Sequence, residues 1–208
     1  MKRIILFCCV AIVAQDIMGL VYGMEQAVIT DIKGNAQIIR NGQVLPAKVS
    51  QSCQKGDVIK TGGGGTVDLS INDMVGYRIL AHSQSTVVNA DERDMQMRID
   101  RGSIIANIEK LPKTSNFKVD TPTAIAAVRG TQFSGHVDFK TPDNPNTTFA
   151  VREGALSVES LATHETFTVN EGMALDIPHD FISNLGTRNA FGTELASLEQ
   201  ASTVRTCS

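Results

Sequence analysis

Arg129-Gly130-Thr131 is where side-chain type and spacing most suggest chemistry in this chain: a planar cation, a glycine and a hydroxyl in direct succession. In one reading Arg129 faces a groove and uses its fork of donors to hold a carboxylate of a ligand or partner, with Thr131 beside it. In the other, Gly130 makes a bulge or turn, Arg129 pairs with an internal carboxylate or with loop carbonyls, and Thr131 closes the bend with its hydroxyl. An arginine at the border of a strand-rich core is usually held by its own fold, so Arg129→Ala is expected to act mainly on thermal stability.

Other segments invite chemistry and decline it. Lys60-Thr61-Gly62-Gly63-Gly64-Gly65-Thr66 has the glycine content of a phosphate cradle, but such a loop places Lys and then Ser or Thr after its glycines and opens a helix. Here the lysine comes first and the strand-like run Val67 to Ile71 follows, which reads as a turn between strands. His82, His136, His164 and His179 are dispersed and share no zinc-like spacing with cysteine. His164-Glu165 lacks the second histidine of a metalloprotease helix, no Gly-x-Ser-x-Gly elbow occurs, and no cysteine has a histidine next to it. Asp143-Asn144-Pro145-Asn146 lacks the spaced acids and terminal glutamate of a calcium loop and reads as a hairpin loop. The residues therefore predict no catalytic group, no metal and no cofactor, in a chain that is not an enzyme.

Composition narrows the fold that must position these residues. A length of 208 suits one domain with a real core. Apolar content of 42% and charged content of 20% describe a globular chain, not a disordered one. Two tyrosines and no tryptophan leave few rings on which bases or sugars could stack. Met1-Lys2-Arg3, the apolar run Ile4 to Ala14 and Val21-Tyr22-Gly23 are the parts of a secretory signal peptide, read as residues 1–23. Gln15-Asp16 interrupts that run too early for a span of about 20 apolar residues, so stable membrane insertion after cleavage is not expected. Cys8 and Cys9 sit inside the run without the small preceding residues that lipidation requires. Cleavage removes Lys2, Arg3 and Asp16 and moves the formal charge from −3 to −4. A mildly acidic exported chain, periplasmic or secreted, has no electrostatic attraction for nucleic acid. Cys53 and Cys207 remain, and in an oxidising compartment they either form a bridge from the tail to the first third of the domain or stay as two thiols.

From Ala27 to Ile177 short alternating apolar runs are broken by Gly, Asn, Asp and Pro, the pattern of an all-β domain. Fifteen strands are expected, among them Ser103 to Ile108, Ala124 to Val128 and Thr166 to Val169. They suit a stacked β-roll, a solenoid-like stack or a sandwich. A polar residue, a glycine and an apolar strand recur at Lys33-Gly34, Lys55-Gly56-Asp57, Arg101-Gly102, Glu153-Gly154 and Glu171-Gly172, each predicting a corner before a strand. Thr121-Pro122 must be extended and sets the direction of the small-residue strand after it, Ala124 to Val128. The domain is read as residues 24–177. Residues 178–208 form a tail, in which Ala190, Leu195, Leu198 and Ala201 have the spacing of a short amphipathic helix.

Several of these segments resemble the FecR domain family. They are Val28 to Arg40, Lys55-Gly-Asp-Val-Ile-Lys-Thr-Gly62 with Thr66 to Ile71, Phe117 to Phe133 with its Thr-Pro-x-Ala and Val-Arg-Gly-Thr-x-Phe elements, Val151 to Val158 and Val169 to Leu175. The resemblance implies an all-β domain on the periplasmic side or cell surface, found in regulators of iron-uptake signalling, where it senses a partner receptor. This chain has no cytoplasmic anti-sigma segment of the kind those regulators carry, so direct control of a sigma factor is not expected. The expectation is a binding module for another envelope protein or a surface polymer, possible in cell-surface signalling, with Arg129 and Thr131 as the candidate contacts. Thr121, Pro122, Gly130, Gly56, Asp57 and Gly154 are its structural motif. A passive envelope component and a carbohydrate-binding protein or enzyme are the alternatives.

Overall fold

The structure is a computed structural model and describes residues 27–71, 73–91, 93–109, 111–180 and 186–190. The expected signal peptide 1–23, Cys207 and all but the first residue of the stretch 190–204 expected to be an amphipathic helix lie outside the described residues.

The chain begins with β1 (Ala27–Lys33), β2 (Ala36–Arg40), β3 (Gln43–Pro46), β4 (Ser52–Cys53), β5 (Val58–Thr61) and β6 (Thr66–Ile71). It continues with β7 (Val75–Ile79), β8 (Gln84–Asp91), β9 (Asp94–Ile108), β10 (Asn116–Asp120), β11 (Ala124–Val128) and β12 (Gln132–Thr141). The last strands are β13 (Asn144–Glu153), β14 (Ala155–Ser160), β15 (Thr166–Asn170), β16 (Met173–Pro178) and β17 (Arg188–Asn189). The expected all-β class is observed, with no helix among the described residues.

All the strands are hydrogen-bonded into one system that β9 folds into two layers. Its second half pairs with β7 and β12 in a first sheet, β4-β1-β6-β7-β9-β12-β13-β16-β17. Its first half pairs with β8 and, in parallel, with β10 in a second sheet, β3-β2-β5-β8-β9-β10-β11-β14-β15. The inward faces meet in a single core that includes Ile29, Leu69, Phe133 and Leu175 from the first sheet and Ile38, Ile59, Met97 and Val158 from the second. Tyr77 joins the layers twice: its ring meets that of Phe117 edge-on at 6.5 Å, and its hydroxyl lies 2.9 Å from Ser85 Oγ. That bond removes the cost of carrying a phenol into the core. The arrangement is a β-sandwich whose chain crosses between layers every one or two strands, as period-2 alternation with one apolar face requires.

The glycine corners are the crossings. Gly34, Gly56, Gly102, Gly130, Gly154 and Gly172 all have positive φ, and each lies where the chain leaves one sheet for the other. Two of them are also sites of close approach. A Cβ on Gly102 would lie 2.7 Å from Ser83 Cα, and one on Gly154 would lie 2.7 Å from Gly130 O, so neighbouring corners stack directly on one another.

Three expectations change in detail. Arg101-Gly102 is a corner, yet strand pairing continues through it, so the two strands expected on either side are one fifteen-residue strand. Pairing continues because β8 and β12 are both available to β9 as it bends. The turn expected at Asp143 to Asn146 contracts to Pro142-Asp143, and Pro145 sits in β13 opposite Phe139. Its carbonyl still accepts from the His179 N–H at 3.0 Å, so the missing N–H forfeits only the reciprocal bond at the last rung of the β16 ladder, where a proline costs least. Short β3, β4 and β17 are added, each too brief to show alternation.

Candidate functional site

The β11–β12 crossing puts Arg129 on the surface and its neighbours inside. Thr131 is buried, and its hydroxyl donates to Ala155 O at 2.8 Å, tying this corner to the one at Gly154. Arg129 is exposed, with Nη2 donating to Lys113 O at 2.6 Å and so pinning the loop between β9 and β10. Two surface clefts adjoin it. A cleft of about 480 Å³ at the sandwich edge is lined by Asn107, Glu109, Arg129, Thr131, Gln132 and Glu153. A second, of about 370 Å³, runs over the outer face of the second sheet past Lys118, Ala127, Arg129, Ser157 and Thr168. Lys118, Ala127, Ser157 and Thr168 are consecutive register partners, so this trough is a single row across β10, β11, β14 and β15, floored by the small Ala127 and Ser157. Lys118 and Arg129 make it a cationic trough.

The remaining motif residues hold the fold. Asp57 is 1% exposed and accepts three hydrogen bonds: from Arg40 Nε at 2.8 Å, Arg40 Nη2 at 2.6 Å and the Gln54 N–H at 2.7 Å. Arg40 also donates to Ser52 O at 2.9 Å, so one carboxylate clamps β2, β4 and β5 around the Gly56 corner, whose N–H donates to Val87 O. Thr121 shares a buried hydroxyl cluster with Thr123 and Thr147. Thr147 donates to Thr121 Oγ1 at 3.0 Å, and Thr123 Oγ1 lies 2.7 Å from Thr147 Oγ1 and 3.0 Å from Ile177 O. Pro122 is exposed at the bend above this cluster, which joins the two sheets.

Cys53 has no exposed surface and no disulfide partner among the described residues. Burial, reinforced by the negative charge of Asp57 and opposed by Arg40, pushes its ionisation up to about 12. Because the thiolate is the reactive form, Cys53 is inert in the folded protein. Maleimide treatment followed by peptide mapping is expected to leave the Cys53 peptide unmodified in native buffer and to label it fully in denaturant without reductant. Failure to label in denaturant until reductant is added would instead identify a bridge.

One arrangement was not visible in the sequence. Ser103, His136, Thr148 and Asp176 form a row across the outer face of the first sheet. Ser103 Oγ lies 2.8 Å from His136 Nδ1, which invites comparison with a nucleophilic triad. The acid is misplaced for that role. Asp176 accepts from Thr148 Oγ1 at 2.6 Å and Arg188 Nε at 2.7 Å, two strands or roughly 10 Å from the histidine. Burial raises its pKa, but these hydrogen bonds and the Arg188 charge outweigh burial and hold it below the ordinary value. Asp176 is an ionised partner of Arg188 and orients no imidazole. Among the described residues no group of three or more His, Cys, Asp or Glu side chains is placed to hold a metal ion.

A two-layer all-β module with a cationic trough beside an open sheet end is the class that this fold and site define. Residues 57–159 match the family described as FecR protein, and the chain is a FecR-domain protein. The match runs from the Asp57 clamp to the end of β14, inside the Val28 to Leu175 stretch whose motifs resembled the family. Two crystal structures of a candidate anti-sigma factor from Parabacteroides distasonis ATCC 8503, at 1.65 Å and 2.50 Å resolution, share the fold. Each superposes with a TM-score of 0.56 at 13% identity, covering 69% of this chain and 64% of the other, somewhat under two thirds of its length. No curated protein matches the sequence.

Proposed function

We propose that this chain is an exported recognition module of cell-surface signalling that binds another envelope protein by adding a partner strand to β15, with the cationic trough receiving acidic side chains of that partner. FecR-domain membership supports a regulatory rather than a chemical role, and the amino-terminal export signal supports action in the envelope. The observation that carries the reading is the state of β15. It pairs only with β14 among the described strands, and Thr166-Phe-Thr-Val-Asn170 contains no proline and no charge, the usual protections of an edge. The Ser160 N–H donates to Glu165 O. Antiparallel alternation from that bond turns the main-chain groups of Thr166, Thr168 and Asn170 away from β14, toward the open side. β3, at the opposite end of the same sheet, has only four residues and closes with Pro46.

Thr168→Pro removes one outward N–H without touching the β14 ladder, and is expected to leave the fold intact while weakening partner capture at least about tenfold. Arg129→Ala removes a charge-assisted contact and is expected to weaken capture by about 10- to 100-fold, with a stability loss of only about 1 kcal/mol from its single exposed hydrogen bond. Quantitative capture from envelope extract by wild type and both variants tests the reading. A saturable partner retained undiminished by Thr168→Pro would rule out strand addition. Absence of any saturable partner would favour a passive structural component.

A further inference from the structure

The β2–β3 hairpin and the loop after it gather most of the apolar surface that the fold leaves uncovered. Among the described residues the exposed large apolar side chains are Val44 at 59%, Leu45 at 36%, Val49 at 54% and Leu161 at 41%, so three of the four fall within six residues. Asn41 and Gly42, with φ of +51° and +78°, form the two-residue turn that fixes the register. Leu45 then stands opposite Ile38, and Val44 opposite Ile39. Ile38 belongs to the core, so Leu45 lies on the inner side of the sheet edge. Val44 lies on the outer side, in one row with the half-buried Ile39 and Val58. Charge at this end of the sheet is one-sided. From Ala36 to Thr61 the chain carries Arg40, Lys48, Lys55 and Lys60 against a single acid, Asp57, a net +3 in a protein of −3. Asp57 is buried and engaged by Arg40. The three lysines are exposed and have no acid partner among the described residues.

We propose that this hairpin and loop seat the protein on an anionic phospholipid bilayer, where Val44, Leu45 and Val49 enter the headgroup layer and Lys48, Lys55 and Lys60 meet lipid phosphates. Exposed apolar patches mark contacts with proteins or with membranes, and the side-chain types choose between them. Protein interfaces are enriched in aromatic residues, Met and Arg and depleted of Lys. This patch is aliphatic and flanked by lysines, and its one arginine is held by Asp57. Lysine suits a headgroup layer, because its stem lies along apolar surface while its ammonium reaches phosphate. The negative charge of the whole chain does not oppose this. Screening at physiological salt acts within about 8 Å, so the lysines beside the lipid are felt and acids at the far end of the sheet are not. β3 and β15 close opposite ends of the second sheet, roughly 40 Å apart at the usual strand spacing. Seated by β3, the protein holds β15 and the trough away from the lipid. The placement stands independently of strand addition at β15.

Sedimentation with vesicles tests the placement, using the protein recovered from the envelope of expressing cells. At physiological salt, wild type is expected to sediment with vesicles of phosphatidylglycerol and phosphatidylethanolamine in equal parts, and far less with pure phosphatidylcholine. Lys48→Gln and Lys60→Gln are each expected to weaken partition onto the anionic vesicles about fivefold. Val44→Thr with Val49→Thr keeps the branched shape and is expected to weaken partition at least about fivefold. Its melting temperature is expected to match wild type, because both side chains already meet water. Thr168→Pro is expected to sediment as wild type does, and the hairpin variants to capture the β15 partner undiminished, so either reading can fail without the other. Wild type left in solution by the anionic vesicles would overturn the lipid assignment, even with a protein captured through this hairpin. Equal partition onto both kinds of vesicle, or undiminished partition of the lysine and valine variants, would overturn it as well.

Discussion

Gly102→Ala is expected to melt about 4–16 °C below wild type. Two costs combine. Gly102 has φ of +82°, which an alanine adopts at about 1 kcal/mol, and the added methyl would lie 2.7 Å from Ser83 Cα and 2.3 Å from Ser83 Oγ. The serine hydroxyl cannot swing aside freely, because it accepts from the Ser103 N–H at 2.8 Å and bonds to Ser103 O at 3.1 Å. Forcing such corners apart adds about 1–3 kcal/mol, for a total of about 2–4 kcal/mol. At about 2–4 °C per kcal/mol for a chain of this size, the shift follows. Gly172→Ala separates the two costs: its φ is +75° but nothing lies within 4 Å of the new methyl, so it is expected to lose only about 1 kcal/mol. Equal melting temperatures for the two variants, read by circular dichroism, would show that close approach of the corners contributes nothing.

Asp57→Ala is expected to cost about 3 kcal/mol and to lower the melting temperature by about 6–12 °C. The carboxylate is buried while its partner Arg40 keeps 25% of its side chain exposed, so deletion leaves a half-buried guanidinium and the Gln54 N–H without their acceptor. The loss therefore falls at the lower end for buried pairs, because water reaches Arg40. Arg40→Met is the informative companion. It removes the cation but leaves the Asp57 carboxyl, 1% exposed, without its partner, and is expected to be at least as damaging. If Asp57→Ala melts within 1 °C of wild type, the clamp is not what holds β2, β4 and β5 together.

Neither variant touches the trough or β15, so partner capture at a temperature where both remain folded is expected to match wild type. That separates the stabilising residues from the recognition surface. It also bears on Arg129-Gly130-Thr131, where the sequence left two readings for one tripeptide. The structure divides them by residue: Thr131 is buried and bonded to Ala155 O, while Arg129 is exposed between two clefts with one bond to a loop carbonyl. Exposure keeps Arg129 available to a carboxylate, and its small share in stability is what allows binding and folding to be measured apart.

Sequence alone was enough to reveal what depends on neighbouring residues. Period-2 alternation marked β6 and β14, and a polar residue before glycine marked the corners, because backbone dihedrals and the side to which a side chain points are set within a few residues. The FecR motifs were legible for the same reason, being contiguous. Only the tertiary structure decided which strands meet: that β9 serves both sheets, that β10 joins it in parallel, that Tyr77 finds Ser85 and Phe117 across the layers, and that Ile105 is covered although it faces outward. Pairing of this kind depends on contacts between residues far apart in the chain, whose energies compete globally and leave no local mark on the residues that make them.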